Sequence, residues 1–180
     1  MNKTQKMAIA AAAVLLVAWT YSAQAGLDGA TVNLSAYYPN SSSLFANGGN
    51  VVAPATYGTG FASSFSPGAS AQVTDTQLII TQNLSATTYN PAAFDGWVLS
   101  IVSGATIVSA SVDASSQVDP VSISIVGGDQ LFLNYEGVTF PNGDSSIIDI
   151  TTRASVPDGG LTLAMLGMAM TGLSFIRRKP

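Results

Sequence analysis

Histidine and cysteine, the side chains best suited to acid–base, nucleophilic and metal chemistry, are both absent from this 180-residue chain. Without histidine there is no imidazole base, no Ser-His triad and no imidazole metal site. Without cysteine there is no thiolate nucleophile, disulfide or sulfur ligand, and cysteine usage carries no redox information. Carboxylates remain. Between Gly26 and Ser155 stand Asp28, Asp75, Asp95, Asp113, Asp119, Asp129, Glu136, Asp144 and Asp149 against a single base, Arg153, a formal charge of −8. Glycoside hydrolysis needs two facing carboxyls with separated pKa values. Only one of the nine acids is Glu, and no pair sits in a recognisable motif. Loop oxygens of Asp113, Asp119, Asp129, Asp144 or Asn142 suit calcium, but no loop has EF-hand spacing, and Asp is an ordinary turn former. No Gly-rich phosphate loop precedes a helix, and the acidic balance opposes nucleic-acid binding. The expectation is a non-enzymatic protein with no metal and no cofactor.

Aromatic side chains offer one further chemistry. Tyr37, Tyr38, Tyr57, Tyr89 and Trp97 could stack on sugar rings. Tyr38 and Trp97 are the candidate glycan contacts. The competing account is packing, since Trp97 sits in a strand pattern.

The elements that must position these groups are strands. From Gly26 to Thr152 short β-branched and aromatic runs alternate with Gly, Pro, Asn, Asp and Ser clusters. Strands are predicted over Ala30–Tyr37, Ala71–Asn83, Gly96–Ser103, Ala105–Val112, Pro120–Val126, Gln130–Tyr135 and Ser146–Thr152. In Val121-Ser122-Ile123-Ser124-Ile125 the apolar and hydroxyl side chains fall on opposite faces, as in a half-buried strand. Gly127-Gly128 and Asn142-Gly143 are hairpin signals, and Ser103-Gly104-Ala105 reads as a tight turn. Pro39–Asn50 and Pro54–Ser70, the latter with Tyr57, Phe61 and Phe65, read as long loops. The predicted fold is all-β, an antiparallel, jelly-roll-like β-sandwich over residues 26–152.

Both ends read as address labels. Lys3 and Lys6 precede an apolar core from Met7 to Trp19, and Ala23-Gln24-Ala25 forms a small-x-small site. Residues 1–25 are therefore predicted to be a secretory signal peptide, cut after Ala25 so that Gly26 begins the mature chain. At the other end, residues 153–180 form a linker and tail. Val156-Pro157-Asp158-Gly159-Gly160 leads into an apolar run, 161–176, closed by Arg177-Arg178-Lys179. As a helix that run would be about 24 Å long, against about 30 Å of hydrocarbon in a bilayer. The basic end would stay cytoplasmic.

This tail, with Leu163-Ala164-Met165-Leu166-Gly167 and Gly172-Leu173 inside the apolar run, resembles a PEP-CTERM-type sorting signal of the Val-Pro-Asp-Ser-Gly or Val-Pro-Asp-Gly-Gly variety. The resemblance implies export by a Gram-negative bacterium that makes exopolysaccharide, transient inner-membrane anchoring, and processing by an exosortase, an integral-membrane cysteine protease or transpeptidase. It also implies a cell-surface or biofilm-matrix setting, with exopolysaccharide as a partner. The chain departs from the commonest Pro-Glu-Pro form. Phe94-Asp95-Gly96-Trp97-Val98-Leu99 and Leu133–Phe140 are similar to a β-rich domain recurrent in such proteins, which implies a sandwich and no activity. A eukaryotic GPI signal shares the small residues and apolar tail, with Asn33, Asn40 and Asn83 as sequons, but leaves the terminal basic cluster without a role. Alternatives for the molecular role are a carbohydrate-binding module and a self-assembling fibre or coat subunit pairing through open sheet edges.

Overall fold

The computed structural model describes residues 26–60, 66 and 68–154, and among them regular structure is β throughout. The strands are β1 (Thr31–Tyr37), β2 (Leu44–Val52), β3 (Ala55–Tyr57), β4 (Ala69–Val73), β5 (Gln77–Gln82), β6 (Thr87–Thr88), β7 (Gly96–Ser103), β8 (Ala105–Val112), β9 (Ser122–Val126), β10 (Gln130–Asn134), β11 (Thr139–Phe140) and β12 (Ser145–Ala154). They form two five-stranded sheets, ordered β2-β1-β7-β10-β9 and β3-β4-β5-β12-β8, and a small β11-β6 pair. Every pairing is antiparallel.

The two large sheets, here the first and the second, bury alternate residues in one common core. From the first come Val32, Leu34, Ala36, Trp97, Leu99, Leu131 and Leu133; from the second come Val73, Leu78, Ile80, Ile107, Ile148 and Ile150. Period two is clearest in β5, where Leu78, Ile80 and Gln82 point in, and in β9, where Ile123 and Ile125 turn toward the core while Ser122 and Ser124 face solvent. The expected hydroxyl face of β9 is thus present.

Several boundaries differ from the sequence reading. The stretch Ala71–Asn83 holds two strands, because Thr74 turns the chain. Its backbone N–H donates to the Gln77 carbonyl (2.8 Å) while its hydroxyl oxygen accepts the Gln77 N–H (2.9 Å). Within the expected loop Pro39–Asn50 lies most of the nine-residue β2, and within Pro54–Ser70 lie β3 and the start of β4. Phe61 and Phe65 fall outside the described residues. Strand β2 is an exposed edge with few β-branched residues, so its burial pattern carries no alternating apolar signal. It is held instead by backbone pairing to β1 and by the Asn33 amide, which donates to Asn47 (2.9 Å) and Asn50 (3.0 Å). The register slips between Asn33 and Ser35. There the Tyr57 hydroxyl accepts the Leu34 N–H (3.1 Å) and lies 3.3 Å from the Val32 carbonyl and 3.2 Å from that of Gly49. Gly48 makes room for it, since a Cβ there would come within 2.5 Å of the Tyr57 ring.

The glycine turns also divide. Gly127 and Gly128, with φ of 64° and 78°, close the β9–β10 hairpin as expected. Asn142-Gly143 does not close a hairpin, because β11 pairs with β6 and β12 with β5 and β8. Only Gly143 has positive φ (91°), so the turn lacks the two left-handed residues of a type I′ hairpin and redirects the chain between sheets. Gly104 likewise passes the chain from β7 in the first sheet to β8 in the second.

Candidate functional site

The expected glycan platform is not an exposed surface. Trp97 is fully buried at the centre of the first sheet, and its indole N–H donates to the Tyr89 hydroxyl at 2.7 Å. Around them Tyr89, Tyr135 and Phe140 form an aromatic cluster with centroid separations of 5.4, 5.5 and 6.1 Å. The Tyr135 hydroxyl is 2.7 Å from that of Ser146 on β12. Burial pushes the titration of Tyr89 and Tyr135 far above the ordinary phenol range, so both are neutral hydrogen-bonding groups. Tyr57 is also buried, and burial raises its hydroxyl against the lowering effect of the Leu34 N–H. Tyr38 is half-buried at the end of β1, on an element separate from Trp97. Trp97 is therefore corrected from a glycan contact to a core residue. Trp97 alternates inward with Leu99, which puts its ring in the core.

The carboxylates do not converge. None of the strands of the first sheet contains a charged residue, and the second sheet carries only Asp149 and Arg153 in its strands. The remaining acids are distributed over turns, and no group of three or more potential metal-ligating acids occurs among the described residues. Asp95 is buried before β7, where it accepts the Asn90 N–H. Desolvation raises its carboxyl above the usual range despite that bond. Asp113 shows the opposite shift, lowered by hydrogen bonds from the Ser115 hydroxyl and backbone.

A concave site lies on the outer face of the first sheet, a cleft of about 220 Å³. Ser122, Ser124 and Val126 from β9 and Phe132 and Asn134 from β10 line it, with Ala93 and Phe94 from the segment before β7 and Ser41 from the β1–β2 loop. The Phe94 N–H donates to the Pro39 carbonyl (3.2 Å), tying the two loops together. Phe94 meets Phe132 edge-on, centroids 5.9 Å apart and planes at 80°. Asn134 is 8% exposed, and its Oδ1 accepts the N–H groups of Asp95 (3.0 Å) and Glu136 (3.2 Å). Sequence reasoning missed these residues. The signal was there in Leu131-Phe132-Leu133-Asn134, whose alternation sends Phe132 and Asn134 to the face shared with Ser122 and Ser124.

At the start of the described chain, Gly26 lies against Asp75. A Cβ built on Gly26 would fall 1.7 Å from the Asp75 Oδ1. The same carboxylate accepts the Asp28 N–H (2.9 Å), and the Asp75 carbonyl accepts that of Leu27. Ala23 and Ala25 precede the described residues. The motif Val156, Pro157, Asp158, Gly159 and Gly160, the apolar run 161–176 and the basic Arg177, Arg178 and Lys179 follow them. Among the described residues no helix is long and apolar enough to cross a membrane.

Compared with known families, residues 155–179 match the VPDSG-CTERM motif, a PEP-CTERM-like C-terminal sorting signal. The match begins directly after β12, which ends at Ala154. No curated protein and no solved structure matches the chain.

Proposed function

We propose that this chain, exported and sorted through its VPDSG-CTERM signal, is a non-enzymatic protein of the cell surface or extracellular matrix of a Gram-negative bacterium. The sorting signal implies delivery to the cell envelope or surface and processing by an exosortase-type system. In this reading residues 1–25 are a signal peptide removed after Ala25, and the run 161–176 holds the chain transiently in the inner membrane. The two five-stranded sheets are the layers of a jelly-roll-like β-sandwich that is the cargo. Asp158 and its neighbours are acted upon by the exosortase and have no catalysis of their own. The absence of histidine and cysteine and the dispersal of the carboxylates support a non-catalytic role.

The observation that carries this reading is the position of the sorting motif, which starts where the last strand of the domain stops. Intact mass of the protein recovered from cells and medium tests it. The expected product begins at Gly26 and has lost the apolar run, and it accumulates uncut when the exosortase is absent. Stable cytoplasmic protein retaining Met1 would overturn the export reading.

A second reading, assembly into a surface coat, is favoured by one observation. The four edge strands of the large sheets, β2, β9, β3 and β8, contain no charged residue, whereas charges commonly block edge-to-edge pairing. Sedimentation of the purified mature protein checks it, and strictly monomeric behaviour across concentration would exclude it.

A further inference from the structure

The cleft on the first sheet combines three properties that together define a ligand class. Its lining is uncharged, it carries an aromatic ring, and it contains a buried amide with donors to spare. Asn134 supplies those donors. Its Oδ1 is occupied by the Asp95 and Glu136 N–H groups, which fixes the orientation of the amide. Its Nδ2 has no partner among the described residues, although the side chain is more than nine-tenths buried. Among the described residues no fully enclosed polar side-chain atom lacks a partner, so this NH₂ keeps some solvent contact, and Asn134 is one of the residues that line the cleft. Turning it away would strip the Asp95 and Glu136 N–H groups of their acceptor, and a buried donor left unpaired is costly. The amide is thus a donor pair set in place before any ligand arrives.

The other lining groups fit the same ligand. Ser124 stands opposite Phe132 and Ser122 opposite Asn134 in the β9–β10 register, and both serines are exposed. The partly buried Phe132 ring is held edge-on by Phe94. An anion would find no counter-charge here: the strands of this sheet are uncharged, and among the described residues Arg153, on the other sheet, is the one base. A purely apolar ligand would leave the Asn134 amide and the two hydroxyls unpaired. A neutral ring with hydroxyl edges and an apolar C–H face satisfies all of them, and a volume of about 220 Å³ accommodates one such ring.

We propose that the cleft of Ser122, Ser124, Phe132 and Asn134 binds one pyranose ring of a neutral polysaccharide. Phe132 takes the apolar face of the ring, Asn134 donates to ring hydroxyl oxygens, and the serines exchange hydrogen bonds with the remaining hydroxyls. The proposal is independent of what happens to the C-terminal tail.

The test uses mature protein purified after expression of the full chain. Cellotetraose, maltotetraose and xylotetraose are titrated, with trigalacturonate as the charged control and free glucose as a single-ring competitor. Binding is read by calorimetry and by the ¹⁵N shift of the Asn134 side-chain amide. The expected result is saturable binding of at least one neutral tetramer that shifts the Asn134 signal, is displaced by glucose, and exceeds trigalacturonate affinity at least about tenfold. Asn134→Asp keeps the acceptor for Asp95 and Glu136 but removes the donors, and is expected to weaken binding by about tenfold or more. Ser124→Val, at an exposed strand position that tolerates β-branching, fills the cleft and is expected to do the same with the fold intact. Failure of all three tetramers to move the Asn134 amide would overturn the proposal. So would equal binding of trigalacturonate, or unchanged affinity in Ser124→Val.

Discussion

Strands β7 and β10 present two aromatic faces that differ in kind. Inward they carry Trp97 and Leu133, packed with Tyr89, Tyr135 and Phe140; outward they carry Val98, Phe132 and Asn134, met by Phe94. On the inner side each polar tip has a partner: Trp97 donates to Tyr89, and Tyr135 pairs with Ser146. On the outer side the Asn134 amide is engaged through its oxygen alone. The inner cluster is closed, and its polar groups serve the fold. The outer group is open: Asn134, with its NH₂ unused, and Phe132 both line a cleft. Aromatic content does not separate the two; the partners of the neighbouring polar atoms do.

Truncating the largest inner side chain should break this contrast most visibly. Trp97→Ala removes a fully buried indole together with its hydrogen bond to the Tyr89 hydroxyl, and should cost about 3–5 kcal/mol of stability, read by thermal or denaturant unfolding. Phe132→Ala, at a partly buried position on the same two strands, should cost less than half as much while weakening neutral-glycan binding. Equal destabilisation by the two substitutions would show that the outer ring is also structural. Tyr135→Phe isolates the polar tip from the ring. It strands the buried Ser146 hydroxyl and should cost about 1–3 kcal/mol with no change at the cleft.

The pH dependence sharpens the same distinction between buried and exposed groups. Asp95 is buried and its folded-state carboxyl is raised, so the folded chain holds this proton more tightly than the unfolded chain does. Its contribution therefore favours folding more as pH falls from neutrality through the raised pKa toward the unfolded value of about 3.9. Asp113, exposed beside Ser115, is lowered, so its contribution is present above the unfolded value and is lost as pH drops through the folded one. Asp95→Asn should flatten the first trend, and Ser115→Ala should weaken the second. Unfolding curves taken from pH 7 to pH 3 check both signs.

How much of this was legible follows from where each signal is written. Strands with one buried face announce themselves by alternation, and β7 and β8 have the boundaries that their patterns implied. Edge strand β2 escaped because Leu44-Phe45-Ala46-Asn47-Gly48-Gly49-Asn50 has the composition of a loop. Its pairing depends on backbone bonds and the Asn33 amide, neither of which appears as periodicity. Asn142-Gly143 misled for a related reason: a turn dipeptide specifies local dihedrals, while pairing partners are chosen by the whole sheet. Trp97 was read two ways because a tryptophan in a strand serves either face, and only its parity with Leu99 decides. The cleft required Phe132, Asn134, Ser122 and Ser124 to be combined across two strands and a loop, a relation the register creates.

The smallest expected effect lies at the start of the domain, where an exposed polar contact can be set against the buried ones. Gly26 leans on Asp75 so closely that its amino nitrogen, one bond from the Cα, is within about 4.2 Å of Oδ1 by bond geometry. If the chain is cut after Ala25, that nitrogen becomes an ammonium beside a carboxylate. Asp75 is exposed, so the pair falls in the class worth about 0.2–1 kcal/mol and is screened by salt. Mature protein with a free Gly26 amine should therefore melt slightly above the same protein N-acetylated. The gap should close in 1 M salt, and also as pH rises past the amine's own titration, because the ammonium is the partner that loses its charge. In Asp75→Asn the two forms should melt together. A gap that persists in that variant would assign the effect to chain length or hydration and remove the ion pair from the account. Gly26→Ala probes the same contact sterically, since its methyl group would push the carboxylate off the Asp28 N–H, at about 1 kcal/mol.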